Sequence, residues 1–214
     1  NSTDNGGMAK NVQCNLDSLE NTVDILTNEN WQEITKTRYV HADSNHIFLR
    51  VDDNDDKYGV MSPEIFNEID LTIYDAIVVS DYNKGFLTEE MLSVISLLHD
   101  LVFIDTKKVL GDWVKNFNFI KINSKEYDLT KHTLSDIIKS KLIVTRGPLG
   151  CTYQNNTYPV PNVEIKDTSG AGDTFISGLC SEFCKTGDIH KSIEFANRCA
   201  TVVVQKKGVS IVWK

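Results

Sequence analysis

From Tyr74 onward, the sequence alternates short apolar runs of β-forming residues with stretches of helical periodicity. The apolar runs cover residues 74–80, 101–105, 117–122 and 142–145, and the clearest helical pattern covers 88–99. Strands that are apolar along their whole length are buried on both faces, and crossover segments between them make neighbouring strands parallel. The alternation therefore predicts an α/β fold with a mostly parallel central sheet and helices on both of its faces.

Polar residues end these apolar runs or follow them directly, namely Asp81, Asp105, Asn123 and Thr145. The carboxyl ends of parallel strands meet at one edge of a sheet, and open α/β sheets bind their ligands at that edge. We therefore expect a functional site there.

Residues 35–52 have a different pattern, because polar and apolar side chains alternate on both sides of the polar segment 42–45. This alternation predicts an antiparallel β-hairpin that projects from the main sheet as a lid. His41 and His46 flank the predicted turn, and we expect both on its surface.

Length and charge limit the classes of protein to which the chain can belong. Its 214 residues fit one domain, 1–214, with the hairpin as an appendage. Lysine and arginine number 22 against 30 aspartates and glutamates, which argues against a nucleic-acid partner because phosphate backbones attract positive charge. No apolar run reaches the roughly 20 residues that span a bilayer, so we expect no membrane partner.

The 5 cysteines lack a metal-binding spacing, and we expect reduced core thiols and a cytoplasmic location.

The densest chemical signal is the segment 166–175, whose small residues lead directly into an apolar helical run. Gly170 and Gly172 let a ligand approach the backbone, and the first amides of a helix have no acceptor within the helix. Such a turn binds anions at the positive end of the helix dipole. Asp173 stands beside this site, where a carboxylate can take a proton from an attacking hydroxyl. The alternative is that a residue of 167–169 only caps the helix and that Asp173 only complements its dipole.

Residues 167–175, DTSGAGDTF, resemble the DTxGAGD signature of the ribokinase-like (PfkB) carbohydrate kinases. The resemblance implies a ribokinase-like three-layer α/β/α fold with a mostly parallel central sheet and a small β-hairpin lid. It also implies transfer of a phosphoryl group from ATP, with Mg²⁺ as the metal cofactor. Asp173 is then the general base, Asp167 helps to organise the metal and the phosphates, and the anion hole is formed by Gly170, Ala171 and Gly172.

Residues 123–126, NSKE, are similar to the N-x-x-E motif of this family. In that motif Asn123 and Glu126 govern Mg²⁺ and phosphate through bound water, although an asparagine here also caps the following helix. Lys107 lies in a segment similar to D-P-K of the family's heptose-phosphate kinases, where we expect it to contact phosphates. The alternative for Lys107 is a solvated surface lysine.

Residues that resemble the nucleotide pocket lie in the last third of the chain. Thr145, Gly147 and Gly150 are similar to the T-x-G-x-x-G turn that borders the nucleotide, although a plain turn between strands has the same pattern. Asn197 and Gly208 lie in segments that resemble the closing elements of the adenine pocket.

The expected substrate side lies nearer the N-terminus. Gly7 and Asn11 belong to a segment similar to the family's G-G-x-x-x-N element beside the sugar. Residues 80–85, SDYNKG, resemble the D-Y-x-K-G stretch of heptose-phosphate kinases, so the nearest subfamily is the heptose-7-phosphate kinase module of ADP-heptose synthase. In this comparison Asp81 and Lys84 bind substrate, with a solvated lysine as the alternative for Lys84.

Together these motifs predict an ATP-dependent kinase for a hydroxyl of a sugar or sugar phosphate. We expect a domain shortened at its N-terminus, because the family's first strand normally precedes the Gly6–Gly7 element with which this sequence almost begins. We also expect a trimmed sugar side, because residues 27–34 leave too little room for the family's crossover helix. One alternative is a nucleotide-binding, kinase-like binding or assembly protein without turnover, and a kinase of vitamin precursors ranks third. Homodimerisation through the hairpin lid, which would cover an exposed sheet edge, is a further hypothesis.

Overall fold

The computed structural model describes residues 7–28, 31–41, 47–54 and 59–213. The α-helices are α1 (Gly7–Ser18), α2 (Glu89–Ile95), α3 (Ser124–Thr130), α4 (Asp136–Lys141), α5 (Ala171–Thr186) and α6 (Ile189–Val204). The strands are β1 (Thr35–Val40), β2 (Ile47–Asp53), β3 (Ile77–Asp81), β4 (Val102–Thr106), β5 (Phe119–Asn123), β6 (Leu142–Thr145), β7 (Cys151–Tyr153) and β8 (Asn156–Tyr158). Short 3₁₀ helices cover Trp31–Glu33, Pro63–Asn67, Leu71–Ile73, Asp112–Val114 and Gly147–Leu149.

Strands β3 to β8 form a six-stranded sheet in which spatial order follows sequence order. The pairs from β3 to β6 are parallel, and β7 and β8 continue the sheet with antiparallel pairing. The structure thus confirms the mostly parallel sheet and each of the four predicted strands, with small shifts at their ends.

Hydrophobic clusters cover both faces of this sheet. On one face Ile104 belongs to the same buried cluster as Leu92 of α2. On the other face Phe103 belongs to the cluster that holds Ile176 of α5 and Ile193 of α6. Because neighbouring residues of a strand point to opposite faces, Phe103 and Ile104 show that β4 is buried on both sides. The three-layer α/β/α architecture is therefore confirmed.

Helix α2 is shorter than the predicted helical pattern 88–99. It begins where the Thr88 hydroxyl accepts a hydrogen bond from the amide of Met91, and it ends at Ile95. The amides of Leu97 and Leu98 then bond three residues back, a tighter geometry that closes the last turn. Apolar residues continue past this point, where Leu98 packs against the buried cluster and Leu97 is 70% exposed. Periodicity alone therefore overestimates the length of the helix.

The predicted hairpin is present, with β1 and β2 paired antiparallel. Its expected turn, 42–45, and His46 lie outside the described residues. His41 is exposed, as expected, and its ring meets that of Phe48 edge-on. The hairpin also exposes apolar side chains, those of Tyr39, Phe48 and Leu49. Its action as a lid stays a prediction.

All the cysteines are free thiols, and Cys151, Cys180 and Cys199 are buried. Cys14 is half-buried and Cys184 is exposed, so the expectation of core thiols fails for Cys184, which lies on the solvent side of α5. Within the described ranges, no helix has both the length and the apolar character needed to cross a membrane.

Candidate active site

Asp173 lies in the first turn of α5 and has no solvent-exposed surface. Its Oδ2 accepts a hydrogen bond from Asn11 Nδ2 at 2.7 Å, and its Oδ1 accepts one from the Tyr82 hydroxyl at 3.1 Å. Asn11 belongs to α1 and Tyr82 follows β3, so this contact joins three distant parts of the chain. Asn11 and Asp173 were predicted separately as site residues, and the structure brings them into contact, whereas Tyr82 was not among the predicted site residues.

Burial raises the pKa of Asp173 from 3.8 to about 6. The hydrogen bonds from Asn11 and Tyr82 and the charge of Lys121 lower this pKa, while the charge of Asp105 raises it. A carboxylate with a pKa just below neutral is mostly ionised at pH 7 and still accepts a proton readily. Asp173 therefore has the protonation behaviour of a general base.

The glycines before Asp173 allow close contacts that a side chain would prevent. Gly170 has φ +81°, and a Cβ there would lie 2.8 Å from Asn11 Nδ2. A Cβ on Gly172 would lie 2.7 Å from the Nζ of Lys121. No side chain caps this start of α5, but the amide of Ala171 donates to the Thr168 carbonyl at 3.2 Å. The anion hole expected of Gly170, Ala171 and Gly172 therefore stays a prediction, with one of its three amides already engaged.

Lys121 and Asp105 form a buried ion pair beside this helix start. The Nζ–Oδ2 distance is 2.6 Å, and the two side chains are only 2% and 1% exposed. Asp105 and Lys121 are register partners in β4 and β5, so their side chains share the face of the sheet that α5 covers. A cation thus lies directly at the predicted anion site.

Lys107 connects this ion pair to the predicted nucleotide side. Its Nζ lies 3.6 Å from Asp105 Oδ1 and 2.7 Å from Glu126 Oε1. The same ammonium group lies over the ring of Tyr82, 5.4 Å from its centroid. Lys107 is therefore a partnered lysine, and the solvated alternative for it is wrong.

Asn123 and Glu126 form a capping box at the start of α3. Asn123 Oδ1 accepts from the amide of Glu126, and the carboxylate of Glu126 accepts from the backbone amide and Nδ2 of Asn123, both at 2.7 Å. The capping role that the sequence left open for Asn123 is present. Glu126 also bonds to Lys107, so a role toward metal and phosphate through bound water fits better than direct ligation.

The carboxylates at this edge suit Mg²⁺ in their chemistry, since Mg²⁺ prefers oxygen ligands and keeps several waters. Asp105 Oδ1 is buried and, within the described residues, has no hydrogen-bond partner. Those residues contain no group of three or more metal-ligating side chains. The donor set therefore fits a Mg²⁺ ion held mainly by phosphates and water, with few direct protein ligands.

Asp167 holds two loops together. Its Oδ1 accepts from the amide of Ser169 at 2.8 Å, and its Oδ2 accepts from the amide of Gly208 at 3.2 Å. Gly208 has φ +73°, and Val209 beside it approaches Gly170. Asp167 and Gly208 therefore lie beside the start of α5, while the metal role of Asp167 and the adenine-pocket role of Gly208 stay predictions.

The predicted nucleotide turn connects β6 to the antiparallel β7. It therefore also has the position of a plain turn between strands, the alternative left open by the sequence. Gly150 has φ +80°, and a Cβ there would overlap the carbonyl oxygen of Tyr158. The same oxygen accepts from Asn197 Nδ2 at 3.0 Å. Thr145 and Gly147 lie at the sheet edge beside them. The amide of Gly150 also donates to the Gly147 carbonyl at 2.9 Å, and Thr145 pairs with Cys151 of β7. Contact of these four predicted positions with a nucleotide stays a prediction.

The structure places the predicted substrate residues in different surroundings. Asn11 contacts Asp173, and Gly7, at the start of α1, is exposed. Asp81 points to the opposite face of the sheet, where it accepts from the Thr106 hydroxyl at 2.8 Å and pairs with Lys108 at 3.3 Å. Lys84 is exposed, and its charge acts on Asp52 of the hairpin. The contacts of Asp81 therefore stabilise the fold on that face of the sheet. Gly6, which precedes Gly7 in the same predicted segment, lies outside the described residues.

Sequence reasoning missed Tyr82, Lys108 and Lys121. Lys121 had a signal, because it is the one charged residue inside the mostly apolar run 117–122. A lysine buried in a strand needs an acidic partner, and Asp105 at the end of the neighbouring run was the available one.

Comparisons with known proteins agree with this architecture. The profile described as pfkB family carbohydrate kinase matches residues 14–214. The bifunctional protein HldE of Photobacterium profundum is 30% identical over 94% of this chain and 47% of its own length. HldE of Psychromonas ingrahamii is 26% identical over 92% of this chain and 46% of its own. The chain thus spans about half the length of the curated relatives it matches.

Solved structures with the same fold include two kinases. Phosphofructokinase-2 from Escherichia coli in complex with potassium has a TM-score of 0.57 and 14% identity, over 76% of this chain and 62% of that one. Ribokinase from Arabidopsis thaliana complexed with ribose and ATP has a TM-score of 0.53 and 16% identity, over 72% and 55%. At these identities the likeness shows a ribokinase-type fold.

Proposed function

Because the chain belongs to the pfkB family of carbohydrate kinases, we propose that it transfers the terminal phosphoryl group of ATP to a hydroxyl of a sugar or sugar phosphate. The observation that carries the proposal is the place of Asp173 in the first turn of α5, where its carboxylate accepts hydrogen bonds from Asn11 and Tyr82 at the glycine-containing start of the helix. A base and an anion site in contact are what phosphoryl transfer to an alcohol requires.

In the proposed reaction, the acceptor hydroxyl gives its proton to Asp173 while its oxygen bonds to the terminal phosphorus of ATP. The bond from that phosphorus to the bridging oxygen breaks, and ADP leaves with the electron pair. The amides at Gly170 and Gly172 stabilise the negative charge on the transferring group, assisted by the ammonium of Lys121, whereas the amide of Ala171 donates to the Thr168 carbonyl. The main contribution of this chain is thus positioning and charge stabilisation, which suits the loose transition state of phosphoryl transfer.

Bound Mg²⁺ would neutralise negative charge on the ATP phosphates. We assign its protein contacts to the carboxylates of Asp105 and Glu126, with Glu126 acting through water, and Asp167 would help to organise the metal and the phosphates. Lys107 lies between the first two carboxylates and would contact the phosphates. The nucleotide itself would extend toward a wall formed by four residues, Thr145, Gly147, Gly150 and Asn197, and toward Gly208.

The acceptor class we favour is a sugar phosphate of the heptose type. The support is the SDYNKG segment together with the similarity to HldE proteins over most of this chain. Gly7, Asn11 and Lys84 are the residues we propose near the acceptor, and Asp81 would act by holding the loop that carries Tyr82. Chemistry that consumes ATP and a sugar phosphate is typical of the cytoplasm, which is the location we propose.

A panel of sugars and sugar phosphates with ATP and Mg²⁺ tests the proposed function through the production of ADP. We expect ADP formation to rise with a heptose or related sugar phosphate and to match the amount of phosphorylated product. Stabilisation of the protein by ATP in thermal unfolding, without ADP formation from any acceptor, would instead support the kinase-like binding protein. The complete burial of Asp173 is the observation that favours this second candidate.

Homodimerisation through the hairpin remains part of the proposal. It is supported by the exposed apolar side chains of Tyr39, Phe48 and Leu49 on β1 and β2. Light scattering at micromolar concentration should give the mass of a dimer, and the mass of a monomer would contradict this part.

A further inference from the structure

The hydroxyl of Tyr82 contacts the carboxylate that we propose as the base. It donates to Asp173 Oδ1 at 3.1 Å, and the side chain of Tyr82 is only partly exposed. The other carboxylate oxygen, Oδ2, accepts from Asn11 Nδ2 at 2.7 Å. A carboxylate oxygen can accept two hydrogen bonds, so both donors can remain in place while an acceptor hydroxyl binds.

The two donors together fix the plane of the carboxylate. Asn11 is itself held by Asn15, whose Nδ2 donates to the Asn11 carbonyl at 2.8 Å. Tyr82 is supported from its other side by the ammonium of Lys107, 5.4 Å from its ring centroid. Its neighbour Asn83 donates its amide to Asp81 Oδ1 at 2.9 Å, which secures the loop after β3. Each donor therefore has its own support, independent of Asp173.

We propose that Tyr82 is a positioning residue for phosphoryl transfer, whose hydroxyl orients the carboxylate of Asp173 toward the acceptor. The inference rests on the proposed function and adds a residue that acts through Asp173 without entering the reaction. Tyr82 also links Asp173 to the predicted nucleotide side of the site, because Lys107 contacts both the ring of Tyr82 and the carboxylate of Glu126.

The surroundings of Asp173 determine what the loss of this hydroxyl does to its protonation. The charged or titratable groups that face it are Asp105 of β4, Lys121 of β5, Lys107 after β4 and Tyr82 itself. The hydrogen bond from Tyr82 stabilises the ionised carboxylate and so lowers its pKa. Its removal therefore raises the pKa of Asp173, and activity should be lost first at the acid end of the pH range.

Tyr82→Phe tests the inference, with Tyr74→Phe as a matched control. Tyr74 also donates its hydroxyl to a carboxylate, that of Asp24 at 2.7 Å, but on the exposed surface. In Tyr82→Phe, the acid limb of the pH profile of kcat/KM should move up by about one pH unit, since a hydrogen bond to a charged group is worth roughly that shift. The profile of Tyr74→Phe should coincide with that of the wild type. An acid limb in Tyr82→Phe that also coincides with the wild type would overturn the proposal.

A second readout does not need turnover. In protein labelled with ¹³C at the aspartate carboxyls, Asp173 is identified by the resonance missing from Asp173→Asn. Its pKa should be higher in Tyr82→Phe than in the wild type and unchanged in Tyr74→Phe. An unchanged pKa in Tyr82→Phe overturns the positioning role even if no acceptor is ever phosphorylated, whereas absent kinase activity with a shifted pKa contradicts only the proposed function. If Tyr82→Phe does not fold, Tyr82→Leu serves in both measurements.

Discussion

Replacing Lys121 by methionine should destabilise the protein strongly although the volume of the side chain hardly changes. The substitution leaves the Asp105 carboxylate, 1% exposed, without the ammonium group 2.6 Å away. Removal of one partner from a buried ion pair costs about 3–5 kcal/mol. We expect a value near 3 kcal/mol, because Lys107 remains 3.6 Å from the other oxygen of Asp105. This would be a large fraction of the roughly 5–15 kcal/mol that stabilises an ordinary domain.

Urea unfolding followed by tryptophan fluorescence measures this loss, and a double-variant cycle assigns it to the pair. Asp105→Asn combined with Lys121→Met should be more stable than Lys121→Met alone, because the uncompensated carboxylate has been removed. The matched control is Lys139→Met, whose ion pair with Asp136 is exposed and should contribute less than about 1 kcal/mol. The reasoning is refuted if Lys121→Met loses less than about 1 kcal/mol, or if the two changes in the pair are simply additive.

Two further predictions concern the start of α5. Gly172→Ala should lower phosphoryl transfer at least about tenfold, because its Cβ displaces the Lys121 ammonium. The free energy of unfolding should fall by less than the roughly 3 kcal/mol expected for Lys121→Met, because the ammonium is shifted and not removed and alanine favours the helix. Gly59→Ala, whose Cβ meets no atom within 4 Å, is the control, and equal transfer rates for the two variants would contradict the close contact. Since burial raises the pKa of Asp173 from 3.8 to about 6, the stabilisation from its protonated form is complete below pH 3.8 and is lost as pH rises through 6. The stability of Asp173→Asn relative to the wild type should therefore increase by about 2 kcal/mol between pH 4.5 and 7.5 in urea unfolding, and a difference that does not vary with pH would show that the carboxylate is not buried as described.

The sheet could be predicted from the sequence because its strands are nearly continuous apolar runs. Each run is apolar enough that both faces of its strand must be buried, and this property can be read from the run alone. Strand ends were predictable for the same reason, so Asp105 and Asn123 were placed at the edge of the sheet before their contacts were known. The end of α2 at Ile95 was not predictable, because the apolar residues that follow the helix continue the same periodicity.

The site was predictable only where a motif is contiguous in sequence. The start of α5 is such a motif, and its glycines and Asp173 have the geometry expected of them. Tyr82 was missed because its contact with Asp173 depends on the loop conformation after β3. Lys121 was missed because its role depends on the register between β4 and β5, which no single segment encodes. For Asn123 the sequence allowed capping and ligand binding together, and the capping contacts alone are visible in the structure.

The central claim is that Asp173 is the base for transfer at the start of α5. The most direct measurement is the rate of single-turnover transfer from ATP to a sugar phosphate by Asp173→Asn, with ATP affinity measured by calorimetry. The control is Asp136→Asn, an acid in the first turn of α4 whose carboxylate is exposed and pairs with Lys139. The account predicts that Asp173→Asn binds ATP with nearly unchanged affinity and transfers no detectable phosphate, while Asp136→Asn behaves as the wild type. Transfer at the wild-type rate by Asp173→Asn would contradict it.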